Sequence, residues 1–230
     1  MKKILFILVV ASVFTACGTK YDYIDTGVCE EEFRGNMYEY LQSNHYDWDS
    51  IVKIIDRAGL REMFEKEDFT FLGPTNITIR KWFFWDKIGG VGNTDKEYVV
   101  HGYKSIQRVP VEICRKIVLS HVIEGIVARD DIARATYNEE QKMDGGGNIF
   151  TTRWGNRVWL WTIQEPYMNI PEMGPVIVEM ASVGGEDKKI KDIGMATIGV
   201  KPTNGMVHSL PYSYNLGEMY TDRYWAIVNH

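Results

Sequence analysis

The sequence predicts an α+β fold, with helices in the first part of the chain and strands in the second. Amphipathic helical patterns occupy residues 33–64, and β-rich segments separated by short turns follow from residue 145 onward. Helices and strands that are segregated along a chain favour a mostly antiparallel sheet over a βαβ fold. No repeat of fixed period occurs. We therefore expect one large domain.

The first elements are predicted to be paired amphipathic helices. We expect Asp49 or Ser50 to cap the second helix and Gly59 to end it. The triplet at 49–51 also resembles an O-glycosylation site of exported bacterial proteins, so Ser50 has two alternative uses. Apolar residues at helical spacing mark the two helices: Phe33, Met37, Tyr40 and Leu41 in the first, and Ile51, Ile54, Ile55 and Ala58 in the second.

A buried strand and a further helix follow. Residues 69–72 are apolar and aromatic and end at Gly73-Pro74, which is typical of a strand that runs into a turn. Pro110 suits a first helical turn, and an apolar face continues from there to His121. We expect this helix to extend until Gly125 ends it.

Turn residues divide the second half of the chain into short strands. Two β-rich segments flank a predicted turn at Trp154-Gly155-Asn156, and two more lie at 176–183 and 192–200. The last strand follows Asn204-Gly205, a pair that favours a tight hairpin turn with positive φ. This region is therefore predicted to be a series of antiparallel strands.

The N-terminus has the layout of an export signal. Lys2 and Lys3 precede an apolar run at residues 4–14 and a small-residue site at Thr15-Ala16-Cys17. The stretch resembles a bacterial lipobox, which predicts cleavage after residue 16, lipidation of Cys17 and a tether at 17–30. We expect the mature chain to be anchored by acyl chains in the cell envelope, at the outer membrane. The alternative is an ordinary signal peptide in which Cys17 is incidental.

Charge and cysteine content limit the partners. The chain has 31 acidic and 26 basic residues, a formal net charge of −5. This balance supplies no electrostatic footprint for nucleic acid. Cys29 and Cys114 are either a disulfide pair in an oxidising compartment or two separate thiols, and the sequence does not decide between them.

Four common catalytic and metal-binding motifs do not occur in the sequence. A Gly-x-Ser-x-Gly elbow, a P-loop, His-Glu-x-x-His and paired Cys-x-x-Cys are all missing. His121 and Glu124 would lie one helical turn apart, but two ligands do not make a zinc site. We expect no metal and no cofactor, and we interpret His121 and His208 as structural histidines with satisfied hydrogen bonds.

Tryptophans are the most suggestive candidates for ligand contact. Exposed aromatic rings stack on sugars or anchor partner proteins. Consecutive aromatic residues must divide between two faces, so the alternative is that most of these rings belong to the core. The candidates are Trp82, Trp85, Trp154, Trp159 and Trp161, of which the last two share one face of a predicted strand.

Three blocks along the chain resemble the fasciclin-domain family, a secreted adhesion-type module. The first, TFLGPTN at 70–76, is similar to the family's Thr-Val-Phe-Ala-Pro-Thr-Asn strand and turn. The second, VLSHVIEG at 118–125, is similar to a Leu-Tyr-His-Val block at the end of a helix. The third, KPTNGMVHSL at 201–210, is similar to an Ala-Thr-Asn-Gly-Val-Val-His block. All three occur in the family's order.

The resemblance implies N-terminal helices packed on a mostly antiparallel β-wedge or sandwich over residues 31–215, with a C-terminal extension, predicted to be a strand, at 216–230. Ser120 replaces the Tyr of a Tyr-His pair that is implicated in integrin binding in animal members, so that activity is not expected. Structural roles are implied for the residues that match the blocks: Thr70, Pro74, Thr75, Asn76, His121, Thr203, Asn204, Gly205 and His208.

The predicted function is non-enzymatic adhesion or binding, with a glycan or a surface protein as the partner. One alternative is a structural subunit of a surface assembly, marked by an unpaired edge strand at 219–228. Another is an enzyme that uses His121, Glu124 and His208, which requires the histidines to line an open polar cavity. The two Pro-Thr-Asn blocks should lie close together if the family resemblance holds.

Overall fold

The predicted paired helices form at the start of the fold. The computed structural model describes residues 32–84, 105–137, 143–164, 166–171, 173–183 and 192–219. Helix α1 spans Met37–Ser43, α2 spans His45–Ala58 and α3 spans Arg61–Lys66. Asn36 caps α1 through a capping box with Glu39.

Helix α2 begins earlier than the sequence predicts. Asn44 is its N-cap, with Oδ1 accepting the N–H of Asp47 at 3.3 Å, so Asp49 and Ser50 lie inside the helix. The predicted cap at either of those two residues is therefore wrong, because Asn44, seven residues before Ile51, supplies the acceptor. Gly59 ends the helix in the left-handed conformation, as expected.

The two Pro-Thr-Asn blocks meet in a four-stranded mixed sheet. Strand β1 (Phe69–Gly73) is followed by α4 (Asn76–Phe84), and α5 (Val111–Leu119) leads into β2 (Val122–Glu124). Together with β9 (Thr197–Val200) and β10 (Gly205–Ser209), these strands form a sheet in the order β2-β1-β10-β9. β1 and β10 are parallel, and the other neighbours are antiparallel.

Helix α5 is shorter than the expected helix to Gly125. It ends at Leu119, and residues 122–124 form β2, which pairs with β1. The β-branched pair Val122-Ile123 favours this extended conformation. His121 and Glu124 are therefore not one helical turn apart, and the spacing argued for a metal pair is wrong.

The remaining strands form a second, antiparallel sheet. Its order is β5-β6-β7-β8, and β3 with β4 makes a separate two-stranded ladder. The turn at residues 153–156 joins β5 to β6, as predicted. The bounds are β3 Ala135–Tyr137, β4 Met143–Gly146, β5 Asn148–Thr151, β6 Arg157–Gln164, β7 Val176–Ser182 and β8 Ile193–Gly194.

One hydrophobic core joins the helices to both larger sheets. It includes Ile55 of α2, Phe71 of β1 and Leu160 of β6. The opposite face of β6 carries Trp159 and Trp161, and the latter packs in a smaller cluster with Ala135 of β3. Helices packed on mostly antiparallel strands confirm the predicted α+β class.

Two predictions at the ends of the chain have different outcomes. Residues 216–219, placed at the start of a C-terminal strand, form a 3₁₀ helix at Leu216–Met219, which corrects that part of the prediction. Residues 220–230, the signal segment, Cys17, the tether, Cys29 and Trp85 lie outside the described residues. Among those that the structure describes, no helix is long and apolar enough to cross a membrane.

Candidate binding surface

The blocks that carry the family resemblance are adjacent in space. Parallel pairing aligns Phe69 with Gly205 and Gly73 with Ser209, so Asn76 follows the C-terminal end of β1 and Asn204 precedes the N-terminal end of β10. Gly205 has φ +146, and a Cβ there would lie 2.2 Å from the Phe69 carbonyl oxygen. Glycine is therefore required for the two strands to approach this closely.

Asn204 connects the ends of two helices. Its Oδ1 accepts the N–H of Met37, the first residue of α1, at 2.6 Å. Its Nδ2 donates to the carbonyls of Phe64 and Glu67, at the end of α3, at 3.0 Å each. Helix ends leave such groups without partners inside the helix, so this one amide satisfies both ends at once.

Asn76 performs a related task at the opposite end of β1. Its Oδ1 accepts the N–H of Ser50 at 2.6 Å, while Nδ2 donates to the carbonyls of His45 at 2.9 Å and Tyr46 at 2.6 Å. Tyr46 and Ser50 are four residues apart, a separation at which an α-helix joins the two groups directly. The amide therefore links the first turn of α2 to the start of α4.

The threonines of the first block also make internal contacts. Thr70 Oγ1 donates to the Gly125 carbonyl and accepts the Val127 N–H, both at 2.8 Å, which holds the chain after β2 against β1. Thr75 is buried beside Thr78. Two further residues that match the blocks also lie in the fold's interior contacts: Pro74 is buried, and the N–H of Thr203 donates to the Gly35 carbonyl at 2.9 Å.

His121 is fully buried and hydrogen-bonded through both ring nitrogens. Nδ1 donates to the Ile117 carbonyl at 2.7 Å, and Nε2 accepts the hydroxyl of Tyr214 at 2.9 Å. Burial lowers its pKa to about 4, since desolvation disfavours the imidazolium. Tyr214 reaches the histidine from the C-terminal segment, a contact that sequence reasoning missed because 93 residues separate the two.

His208 is likewise enclosed. Nε2 donates to the Val127 carbonyl at 2.9 Å, and Nδ1 accepts the N–H of Gly199 at 3.1 Å. Protonation at Nδ1 would break the second bond, and burial lowers the pKa further. Neither histidine is exposed for proton transfer to a ligand.

Glu124 belongs to an ion-pair cluster at the surface. Arg153 donates hydrogen bonds to the Glu124 carboxylate from Nε at 2.7 Å and Nη2 at 3.0 Å, and its Nη1 donates to Glu67 at 2.7 Å. The hydrogen bond to Arg153 lowers the pKa of Glu124. The guanidinium also lies 5.2 Å from the ring centroid of Phe69. The enzyme cluster proposed from the sequence therefore divides into two internal histidines and one ion-paired surface carboxylate.

The tryptophans differ sharply in exposure. Trp82 and Trp161 are fully buried, so the prediction that they contact a ligand is wrong, because each faces an apolar layer of the fold. Trp159 is half-buried, and its indole N–H donates to the Gly146 carbonyl at 3.0 Å. Trp154 is 39% exposed. Of the candidates that the structure describes, Trp154 is the most accessible.

Trp154 lies in the β5–β6 turn, with Lys116 over its ring and the ion-paired Arg153 next to it in sequence. The backbone N–H groups of Arg153 and Trp154 donate to the carbonyls of Val122 and Leu119, which fixes the β5–β6 turn against β2. The ammonium of Lys116 lies 5.7 Å from the centroid of the indole. We define the Trp154 surface as Trp154, Lys116, Arg153, Glu124 and Glu67.

This surface has the elements of a binding site for a polar ligand. An indole face offers stacking area, and charged groups beside it can hydrogen-bond hydroxyl or amide groups. Sequence reasoning found the tryptophan but missed Lys116 and the pairing of Arg153 with Glu67, which is 86 residues away in the chain. No local sequence pattern indicates a contact of that range.

Comparison with solved structures shows a likeness to a known fold. No family model and no curated protein matches the chain. A solved structure of a FAS1 domain pair from the insect cell adhesion molecule fasciclin I is similar to it, with 17% sequence identity and a TM-score of 0.42. The match covers 76% of this chain and 49% of that chain, so this chain spans about half the length of the domain pair.

Proposed function

We propose that this protein is a non-enzymatic, lipid-anchored binding module of the cell envelope, built on a fasciclin-like domain, and that it contacts a glycan or a protein partner through the Trp154 surface. The observation that carries this proposal is the exposure of Trp154 beside charged groups that stacking and hydrogen bonding can use. The lipobox at Cys17 motivates the anchoring.

The fasciclin-like part rests on the meeting of the three blocks. Residues 70–76, 118–125 and 201–210 are far apart in sequence, yet their strands are neighbours in the order β2-β1-β10. The matched asparagines make equivalent helix-linking contacts at opposite ends of β1 and β10. A chance resemblance of three short blocks gives no reason for this arrangement.

The non-enzymatic part is supported by the use the fold makes of its histidines. Both imidazoles are held in a neutral form by buried partners, and both pKa values are lowered by burial. A general base requires access to the proton that it removes. Glu124, the third residue of the enzyme alternative, instead pairs with Arg153.

Binding can be tested on the chain from residue 18, because every described element lies after residue 31. Soluble polysaccharides and envelope protein extracts would be titrated while tryptophan emission is recorded, and dissociation constants would be measured by calorimetry. We expect Trp154→Ala to weaken binding by about tenfold or more, the scale of a lost aromatic anchor.

The matched control is Tyr46→Ala, which removes another exposed aromatic side chain, 78% accessible and outside the Trp154 surface. It should leave binding unchanged. Equal affinities for the wild-type protein and Trp154→Ala would contradict binding at the Trp154 surface. Reduced affinity in Tyr46→Ala would indicate a general effect of exposed aromatic area.

Anchoring needs a separate experiment. The full chain and Cys17→Ala would be expressed in a Gram-negative host with an alkyne-tagged palmitate, and membrane and soluble fractions would be compared. We expect label and membrane retention in the wild-type protein and loss of both in the variant. Unlabelled wild-type protein in the soluble fraction would contradict the lipoprotein assignment without affecting the Trp154 surface.

A further inference from the structure

The connection between β6 and β7 presents large apolar side chains to solvent. We call the described residues 166–171 and 173–175 the hairpin tip. Four of them are at least half exposed: Tyr167 at 56%, Met168 at 79%, Ile170 at 51% and Met173 at 59%. Such a concentration on one short projection marks an interaction site more often than chance exposure.

The backbone of the tip is fixed in a conformation that suits Asn or Gly better than Met. Tyr167 and Ile170 exchange both backbone hydrogen bonds, at 3.0 and 2.9 Å. The two residues between them have positive φ, 49° at Met168 and 62° at Asn169. This is the pattern of a type I′ turn, which disfavours a long side chain at Met168. The turn therefore keeps an apolar residue at its apex against local preference.

The tip has few polar backbone donors to satisfy. Pro166, Pro171 and Pro175 have no N–H, and those of Tyr167 and Ile170 are bonded within the turn. Prolines also prevent the segment from adding a strand to a partner sheet. A surface that must enter an apolar medium needs its backbone groups satisfied internally. Five of the nine described tip residues therefore bring no unsatisfied backbone N–H to an apolar surface.

The charges around the tip indicate which type of lipid surface it can enter. The run at 166–171 has no charged residue, but glutamates flank it in sequence at 165 and 172, and the whole chain is acidic, at −5. Anionic lipid would repel this segment, whereas a zwitterionic surface offers ammonium groups beside its acyl region. Tyrosine at 167 also suits the interfacial layer.

We propose that the hairpin tip inserts into a zwitterionic lipid surface and thereby orients the domain against the membrane. Met168 and Ile170 enter the boundary of the acyl region, and Tyr167 lies at the headgroups. The proposal rests on the proposed anchoring only for the source of the membrane, since insertion depends on the tip itself.

The test uses the chain from residue 18 with an N-terminal histidine tag. The tag holds it on vesicles of phosphatidylcholine and phosphatidylethanolamine that contain a small fraction of nickel-chelating lipid, and so replaces the acyl anchor. An environment-sensitive fluorophore is placed at Asn169→Cys in a Cys29→Ser background. Cys114 is buried and burial raises its pKa to about 11, so it does not compete for the label.

Tethering should raise and blue-shift the emission of the label at 169. Adding Met168→Asn should abolish that change while leaving the protein folded, because Asn suits the positive φ at this position. A second control carries the label at Tyr46→Cys, on α2, and should not respond. Replacing the phosphatidylethanolamine with phosphatidylglycerol should reduce the signal.

Several results would overturn the inference. They are an unchanged emission on vesicles, an equal response with Met168→Asn, or a larger response on phosphatidylglycerol. A response that grows with protein concentration without vesicles would assign the tip to contact with a second copy instead. Because the tag supplies the tether, none of these results depends on acylation of Cys17 or on binding at Trp154.

Discussion

Replacing Asn204 with alanine should destabilise the fold severely, although the substitution removes only one small side chain. The amide of Asn204 accepts the N–H of Met37 and donates to the carbonyls of Phe64 and Glu67. Alanine keeps none of these bonds, so one end of α1 and one end of α3 lose their partners.

The size of the effect follows from burial. Asn204 is 8% exposed, and two of its three bonds are fully buried. A buried polar group without a partner costs about 1–3 kcal/mol. The sum for three such groups, reduced where water can reach the Glu67 carbonyl, is about 3–5 kcal/mol, a large share of the 5–15 kcal/mol that is typical of folded proteins.

Urea denaturation monitored by tryptophan fluorescence and by circular dichroism measures this loss. The midpoint should fall by about 1–2 M, given the slopes usual for a chain of this size. Asn76→Ala is the matched control, because it also deletes three bonds, but two of them lie at exposed groups that water can serve. It should cost about 1 kcal/mol. Equal losses in the two variants, or a smaller loss for Asn204→Ala, would refute the reasoning.

Three further predictions concern His121, Ser120 and Arg153. Between about pH 6.5 and pH 4 the unfolded state binds more protons at His121 than the folded state does. The free energy of unfolding should therefore decrease by about 3 kcal/mol as the pH falls through this window. His121→Gln should remove this part of the pH dependence, which urea midpoints at each pH would measure. Ser120→Ala should leave stability unchanged or raise it by about 1 kcal/mol, because the buried hydroxyl of Ser120 has no hydrogen-bond partner among the described residues, and a lower melting temperature would contradict this. Arg153→Lys should lower the free energy of unfolding by about 1 kcal/mol, since Lys cannot bind Glu67 and Glu124 through a fork. The effect is small because both carboxylates are largely exposed, and it should diminish in high salt.

The elements with strong local signals were predictable from sequence. The apolar stripe of α2, Gly59 at its end and the β5–β6 turn are determined by residues close together in the chain, and the structure confirms them. The start of α2 is also determined locally, since Asn44 precedes the stripe and is the N-cap. The boundary between α5 and β2 was missed because the apolar face continues past the helix to His121.

Contacts between distant residues could not be derived from periodicity. The proximity of β1 and β10 was expected from the family resemblance, but their parallel pairing and the helix-linking roles of Asn76 and Asn204 appear only in three dimensions. Periodicity also does not indicate which of the tryptophans are exposed. Trp159 and Trp161 share a strand face, yet Trp161 is fully buried in a cluster with Ala135 and Ala181 while Trp159 is half-buried.

The central claim is that ligand contact occurs at Trp154 and not in the histidine-containing interior. The most direct measurement is an NMR titration of the indole and imidazole resonances with the polysaccharide or protein that gives the largest fluorescence response. The indole N–H of Trp154, assigned through Trp154→Phe, should shift, while those of the buried Trp48 and Trp161 and the rings of His121 and His208 should not. Shifts at the two histidines with an unchanged Trp154 signal would contradict the account.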